Sequence, residues 1–137
     1  MNKILIVDDE EPIRMLYHDE LTEEGYNVFT LSEGSRLLEV IEQTTPDLIV
    51  LDIKLGKYSG LDLLQDIRNT VYNMPVILCT AYSDFKYDLR AIAADYYVTK
   101  RSNLEELKQK IKMALEGARD FPTQAELESM HQISVAQ

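Results

Sequence analysis

The stretch Ile4-Leu5-Ile6-Val7-Asp8-Asp9-Glu10 decides the fold, because a short apolar run without alternation ends directly in acidic residues. Such a run is typical of a strand that is covered by other structure on both faces. Similar runs occupy positions 48–51, 76–79 and 96–98, and a shorter one lies at 28–29 with its flanks. The sequence therefore predicts five strands in the interior of the protein.

Helical periodicity fills the segments between these runs, because apolar residues recur there at spacings of three and four. Strands that alternate with helices pair in parallel and are joined by right-handed crossovers. The pattern therefore predicts a single-domain α/β fold with a doubly wound, five-stranded parallel sheet. The predicted buried helix faces carry Ile13, Leu16, Tyr17 and Leu21; Leu37, Leu38 and Ile41; Leu61, Leu64 and Ile67; Phe85, Leu89 and Ile92; and Leu104, Leu107, Ile111 and Leu115.

Local signals mark the ends of several helices. Gly25 predicts the end of the first helix. Ser59 and Ser102 each precede an acidic residue by three positions, which matches the capping box at a helix start. The domain is predicted to cover residues 1–117, whereas 118–137 are polar and contain Pro122. We expect a polar tail or linker there, with a short extra helix as the alternative.

Composition narrows the classes of function. The chain of 137 residues carries a formal net charge of −10, and binding of nucleic acid requires an excess of basic residues. No apolar run approaches the ~18 residues that cross a membrane, and the first residues lack the pattern of a signal peptide. We therefore expect a cytoplasmic protein without contact to nucleic acid or membrane. The single cysteine, Cys79, excludes an internal disulfide.

Polar residues follow the predicted strands at the point where each strand ends. Asp8 and Asp9 follow the first strand, Asp52 the third, Thr80 the fourth and Lys100 the fifth. Ligands of open α/β sheets bind at the carboxyl ends of the strands, where the strand order reverses. In a sheet of order 2-1-3-4-5, the first and third strands are neighbours at that point. The three aspartates are then expected to converge at one edge of the sheet.

Three carboxylates in close contact repel one another, so that either their pKa values rise or a cation neutralises them. Mg²⁺ is the expected cation, because it prefers oxygen ligands and retains several waters. Lys100 adds positive charge, and the hydroxyl group of Thr80 can donate a hydrogen bond to an anion. A carboxylate beside a metal, a lysine and a hydroxyl group is suited to accept a phosphoryl group.

Four further stretches complete a resemblance to one family. They are Pro46-Asp47-Leu48-Ile49-Val50-Leu51-Asp52, Ser59-Gly60-Leu61-Asp62-Leu63-Leu64, Pro75-Val76-Ile77-Leu78-Cys79-Thr80-Ala81-Tyr82 and Asp95-Tyr96-Tyr97-Val98-Thr99-Lys100. Together with the opening strand, they resemble the receiver domain of two-component response regulators over roughly residues 2–117. The resemblance implies a flavodoxin-like sheet of order 2-1-3-4-5.

The resemblance also implies a role for each acid. Asp52 accepts the phosphoryl group from a phosphohistidine of a sensor histidine kinase or a histidine phosphotransfer protein. Asp9 and Asp52 ligate Mg²⁺ directly, and Asp8 orients the ion through water. The backbone carbonyl of Lys54 completes the protein ligands.

Signal output is implied for the opposite side of the site. Lys100 pairs with the phosphoryl oxygens, Thr80 moves to bond the phosphoryl group, and Tyr97 turns inward behind it. These changes would switch the face made by the fourth helix, the fifth strand and the fifth helix. An output domain, a downstream protein or a second copy of the chain are the partners expected at that face. Such a module assists its own phosphorylation and dephosphorylation but is no enzyme for external substrates.

The sequence departs from the family pattern on the side of Lys100. Arg101 stands where proline usually follows this lysine, and a cis bond before a residue other than proline costs about 3 kcal/mol. The stretch from Thr80 to Lys100 is about two residues short, and Ala93 replaces a usual glycine. Tyr82 is expected to hinder access of water to an acyl phosphate and to slow dephosphorylation.

Two other functions compete with a phosphorylated receiver domain. A degenerate receiver would act as an interaction platform that does not require phosphorylation. A Mg²⁺-dependent phosphatase with an aspartyl-phosphate intermediate usually needs a second acid two residues past the nucleophile. Lys54 occupies that position here, and no insertion long enough to cap a substrate is present.

Overall fold

The computed structural model describes residues 2–81, 89–100 and 103–119. Five parallel strands form the central sheet, namely β1 (Lys3–Val7), β2 (Asn27–Leu31), β3 (Leu48–Leu51), β6 (Val76–Thr80) and β7 (Tyr96–Thr99). Their order across the sheet is β2-β1-β3-β6-β7. Numbered among themselves, these strands have the predicted order 2-1-3-4-5, which is confirmed.

A small antiparallel hairpin follows β3 and was not predicted. Its strands are β4 (Lys54–Leu55) and β5 (Tyr58–Ser59). Gly56 lies in the turn with φ of +61°, a conformation that glycine adopts without steric cost. The hairpin therefore turns the chain sharply just beyond Asp52 and brings it back to the start of the next helix.

Helices cover both faces of the sheet, as predicted. They are α1 (Glu11–Glu23), α2 (Leu37–Thr44), α3 (Gly60–Thr70) and α4 (Leu104–Arg119), and α4 is the predicted fifth helix. Alternate strand residues point to opposite faces. Leu5, Ile49 and Leu78 pack with α2 and α3 on one face. Ile4, Ile6 and Val50 pack with α1 and α4 on the other. Within the described ranges, no helix combines the length and the apolar character that crossing a membrane requires.

Several local predictions are confirmed and one is corrected. Gly25 has φ of +99° and its backbone N–H donates to Thr22 just after α1 ends. Ser59 caps α3, because its hydroxyl oxygen accepts a hydrogen bond from the backbone of Leu61 at 3.2 Å. At the start of α4 the side chain of Asn103 accepts from the backbone N–H of Glu106 at 3.0 Å. Asn103 therefore caps this helix, whereas Ser102, to which the sequence pattern pointed, lies outside the described residues.

The predicted buried faces of three helices include residues that are exposed. Leu16 is 47% exposed, Leu38 is 40% exposed and Ile92 is 74% exposed. In α1 and α2 the apolar periodicity identified the buried face of the helix correctly but included one residue in each that is exposed. For Ile92 the helix type itself differs, because Leu89–Ala93 forms a 3-10 helix whose side chains repeat every three residues.

The segment between β6 and β7 is tied to α3 by one side chain. The guanidinium group of Arg68 donates to the backbone oxygens of Ala93 at 2.8 Å and Met74 at 2.6 Å. It also contacts the carboxylate of Asp95 at 3.1 Å. The earlier part of the predicted fourth helix lies outside the described residues. So do 120–137, and the predicted tail stays a prediction, although α4 continues to Arg119.

Candidate functional site

Backbone pairing places the polar strand-end residues at one edge of the sheet. Val7 of β1 lies opposite Leu51 of β3 in the strand register, so the residues that follow them are neighbours. The backbone N–H of Asp52 donates to the carbonyl oxygen of Val7 at 2.9 Å. On the other side, the N–H of Lys100 donates to the carbonyl oxygen of Thr80 at 2.7 Å. The parallel register thus continues past the strand ends into the site.

Four carboxylates meet at this edge. One oxygen from each of Asp8, Asp9, Glu10 and Asp52 lies within 4.8 Å of the others. Asp8 and Asp52 are buried, with exposed fractions of 3% and 4%, whereas Asp9 and Glu10 are exposed. The predicted convergence of the three aspartates is present, and Glu10 extends the cluster to the surface.

The ammonium group of Lys100 lies in the middle of these acids. Its Nζ atom is 2.7 Å from Asp8, 2.8 Å from Glu10 and 3.0 Å from Asp52, and its side chain is only 7% exposed. Burial on its own would lower the pKa of Lys100. Hydrogen bonds to the three carboxylates outweigh that effect and raise the pKa. Lys100 therefore carries its charge at neutral pH and holds the site together.

Burial and mutual repulsion act on the two inner acids. Burial raises the pKa of Asp52 to about 6, and the nearby charge of Asp8 adds to the increase. Hydrogen bonds with Lys100 and with the backbone of Lys54 oppose this rise. Burial likewise raises the pKa of Asp8. One lysine thus compensates the negative charge of the cluster only in part.

The donor set fits a small divalent cation. All four acids offer carboxylate oxygens, which are the hard ligands that Mg²⁺ prefers. A cation would also relieve the repulsion that raises the pKa values of Asp8 and Asp52. Asp9 is placed to take part, because its exposed carboxylate accepts a hydrogen bond from the backbone N–H of Gly56 at 3.2 Å. This contact also brings the hairpin that begins at Lys54 next to the acids.

The two residues predicted as switches occupy different positions. Thr80 is the last residue of β6 and is fully buried. It lies opposite Thr99 of β7, the residue that precedes Lys100. Tyr97 is half-buried and packs against the apolar cluster on the α2 and α3 face. Tyr97 is thus not part of the acidic cluster. Tyr82 and Arg101, on which two departures from the family pattern rest, lie outside the described residues.

Two residues of the site were not singled out from the sequence. Glu10 is one, although its place in a run of three acids was a usable signal. Gly60 is the other: a Cβ atom there would lie 2.0 Å from the carbonyl oxygen of Asp52 and 2.8 Å from the Cα atom of Ile53. No local signal identifies this close approach, because it depends on how the hairpin returns the chain to Asp52.

Comparison of sequences relates the chain to one family. The profile of the response regulator receiver domain matches residues 4–112. The alkaline phosphatase synthesis transcriptional regulatory protein PhoP of Bacillus subtilis is 37% identical over 116 residues. This match covers 82% of the chain and 48% of PhoP, so the chain spans about half the length of that relative.

Solved structures agree with the sequence comparison. The response regulator protein TrrA from Thermotoga maritima, in complex with Mg(2+)-BeF, is 43% identical with a TM-score of 0.80. The match covers 83% of this chain and 99% of TrrA. TrrA in complex with the histidine kinase ThkA has the same identity and a TM-score of 0.79, covering 84% and 99% of the two chains. In both matches, the similarity extends over almost the whole of the compared regulator.

Proposed function

The chain belongs to the response regulator receiver domain family, a family of signalling modules, and on this premise we propose that Asp52 accepts a phosphoryl group from phosphohistidine. The donor would be a sensor histidine kinase or a histidine phosphotransfer protein. The contact between Lys100 Nζ and Asp52 Oδ2 at 3.0 Å carries this proposal. It places a fixed positive charge beside a buried carboxylate, where charge on a transferred phosphoryl group would develop.

The transfer itself needs one bond exchange. An oxygen of Asp52 attacks phosphorus while the bond from phosphorus to the imidazole nitrogen breaks, and the leaving imidazole takes up a proton. Lys100 would hold the phosphoryl oxygens during this exchange, and the hydroxyl group of Thr80 would donate to them afterwards.

Asp9, Asp52 and the backbone carbonyl of Lys54 are the proposed direct ligands of Mg²⁺, with Asp8 orienting the ion through water. The complex of TrrA with Mg(2+)-BeF supports a Mg²⁺ site in this chain by similarity. When bound, Mg²⁺ supplies charge that neutralises the carboxylates and the phosphoryl oxygens. The exposed position of Asp9 leaves its carboxylate accessible to an ion from solvent.

A patch on α1 is the proposed contact surface for the phosphodonor protein. Met15 is 57% exposed and Leu16 is 47% exposed, and Leu16 lines a small cavity together with Lys100. Exposed apolar residues beside a reactive site are typical of protein interfaces. The complex of TrrA with the histidine kinase ThkA supports such an encounter. This role would also account for the exposure of a residue that the helical pattern predicted to be buried.

For signal output we propose a change on the face made by the 3-10 helix, β7 and α4. Phosphorylation would draw Thr80 toward Asp52 and allow Tyr97 to change its packing behind it. The partner would be a linked output domain, a separate protein or a second copy of the chain. The length of PhoP, about twice that of the matched region, supports a linked domain in relatives.

Phosphorylation by a small donor tests the proposal directly. Acetyl phosphate with Mg²⁺ should add one phosphoryl group to the wild-type protein, detected by intact mass. Asp52→Asn should take up none, and omission of Mg²⁺ should abolish the reaction. Asp66→Asn, an exposed acid on α3, is the matched control and should react like wild type. Unmodified wild type would refute the proposal and favour an interaction platform that needs no phosphorylation.

The proposed contact surface on α1 is tested by comparing a phosphodonor protein with a small phosphodonor. Leu16→Glu should slow transfer from a phosphorylated kinase at least tenfold, because it places a charge in the contact, and it should leave transfer from acetyl phosphate unchanged. Leu38→Glu is the control, since Leu38 is similarly exposed on α2. Equal slowing by both variants would count against a patch on α1.

A further inference from the structure

Glu10 occupies an unusual position at the start of α1. It is the N-cap residue of this helix, with φ of −89° and ψ of 109°, yet its side chain makes no capping hydrogen bond. A carboxylate oxygen of Glu10 accepts instead from Lys100 Nζ at 2.8 Å, across 90 positions of sequence. The side chain thus makes its hydrogen bond to the acidic site and not to the end of the helix.

The contact completes the hydrogen bonding of Lys100. An ammonium group has three N–H donors, and Lys100 has three carboxylate partners in Asp8, Glu10 and Asp52. A phosphodonor that approaches Asp52 would need one of these three N–H groups while Asp52 is still a carboxylate. One existing partner must therefore give up its contact with Lys100 as the phosphodonor binds.

Exposure identifies the partner that can leave. The side chains of Asp8 and Asp52 are 4% and 5% exposed, whereas that of Glu10 is 57% exposed. A carboxylate without a partner is strongly disfavoured in the interior but is readily hydrated at the surface. Among the three acids, only Glu10 can turn into water without leaving a buried charge unpaired.

We propose that Glu10 is a positioning residue: it holds the third N–H of Lys100 in the unphosphorylated protein and releases it to the incoming phosphoryl group. This inference rests on the proposed function. Glu10 keeps Lys100 extended over Asp52 and, at the same time, competes with the anionic phosphodonor for the ammonium group. Removing its charge should therefore favour binding of the donor without changing the chemistry at Asp52.

The first test separates binding of the donor from the chemical step. Phosphorylation rates are measured against acetyl phosphate concentration at saturating Mg²⁺. Glu10→Gln should lower the half-saturating concentration about threefold, the size expected for one partly exposed ion pair, with an unchanged maximal rate. Glu11→Gln is the matched control, because Glu11 is the next residue, is exposed and carries the same charge. An equal effect of both substitutions would reduce the role of Glu10 to general electrostatics and overturn the inference.

The second test observes the release itself through the side-chain ¹⁵N resonance of Lys100. In the metal-free protein, Glu10→Gln should shift this resonance and Glu11→Gln should not. In the complex with beryllofluoride and Mg²⁺, wild type and Glu10→Gln should give the same resonance, because Glu10 no longer contacts Lys100. A difference that persists in this complex would overturn the release step.

Three outcomes distinguish the inference from its alternatives. A loss of Mg²⁺ affinity in Glu10→Gln that far exceeds the loss in Glu11→Gln would make Glu10 a metal ligand and overturn the inference. If wild type takes up no phosphoryl group at all, the proposed function fails, and the release step fails with it. If wild type is phosphorylated but Glu10→Gln and Glu11→Gln behave alike, the inference about Glu10 is refuted while the proposed function stands.

Discussion

The backbone of Asp52 and the α-carbon of Gly60 are packed so closely that a Cβ atom on Gly60 would lie 2.0 Å from the carbonyl oxygen of Asp52. The same turn is closed by a hydrogen bond from the backbone N–H of Gly60 to the carbonyl oxygen of Ile53 at 2.6 Å. Helix α3 therefore begins in direct contact with the residue proposed to accept the phosphoryl group.

Gly60→Ala should lower the free energy of unfolding by about 3 kcal/mol, because the added methyl group overlaps backbone atoms that cannot move independently. Urea denaturation of the metal-free protein measures this loss. Gly117→Ala in α4 is the control, since nothing lies within 4 Å of a Cβ atom there. That substitution should stabilise the protein by ~0.5–1 kcal/mol through lower backbone entropy of the unfolded chain. Similar effects of the two substitutions would contradict the close packing.

Lys100→Met should destabilise the metal-free protein at pH 7.5 by about 3 kcal/mol, because two buried carboxylates lose their cation. The loss should shrink near pH 5, since protonation then neutralises Asp52, whose pKa is raised to about 6. Urea denaturation at the two pH values provides the measurement.

Lys108→Met is a close control for this substitution. Lys108 also contacts three carboxylates, those of Glu20, Glu24 and Glu105, at 3.1 to 3.4 Å. All three partners are exposed to solvent to a considerable extent, so the stability loss should be much smaller and should vanish in high salt. Equal losses for the two lysines would mean that burial of the partners has no influence.

Protonation of Asp52 should make the stability of the metal-free protein depend on pH. The pKa of Asp52 rises from 3.8 to about 6 on folding, so the native state binds more protons than the unfolded chain between these values. Stability contributed by the protonated form is thus lost as pH rises through this window. Asp52→Asn should remove much of this loss and be more stable than wild type at pH 7.5 by about 2 kcal/mol. Thermal unfolding of both proteins in the presence of a chelator, from pH 4 to 8, provides the measurement. If stability depends on pH in the same way in wild type and in Asp52→Asn, Asp52 does not titrate in this range.

Arg68→Met should destabilise the protein by about 2 kcal/mol, because it leaves the half-buried backbone oxygens of Met74 and Ala93 without their donor. Arg68→Lys should recover only part of the loss, since an ammonium group lacks the planar fork of the guanidinium group. Arg90→Lys is the control, because the ion pair of Arg90 with Asp62 is exposed, and it should change stability by less than ~0.5 kcal/mol. Full recovery in Arg68→Lys would show that charge alone holds this segment.

Much of the fold could be predicted from the sequence because it depends on local patterns. Apolar runs without alternation, such as 4–7 and 48–51, can be buried on both faces only inside a covered parallel sheet. Because helices alternate with these strands, the strands must pair in parallel with right-handed crossovers, and few sheet topologies remain. Periodicity failed where the environment decides exposure: Leu16 and Leu38 continue an apolar stripe, but no element of the described structure covers them fully.

The acids of the site were also predictable, since Asp8, Asp9 and Asp52 directly follow strands and parallel strands end at the same edge. Their environment was not. The hairpin that carries Lys54 and brings Gly56 to Asp9 is too short to leave a periodic signal. The shortened segment before β7 is positioned by Arg68, whose partners lie up to 27 residues away.

The sequence by itself determined where the strands lie along the chain and which polar side chains follow them, because both depend on neighbouring positions. Only the tertiary structure decided that Gly60 meets the backbone of Asp52 and that Lys100 divides its three donors among Asp8, Glu10 and Asp52. These relationships join atoms from distant parts of the chain over a few ångströms, and they depend on packing that no local pattern specifies.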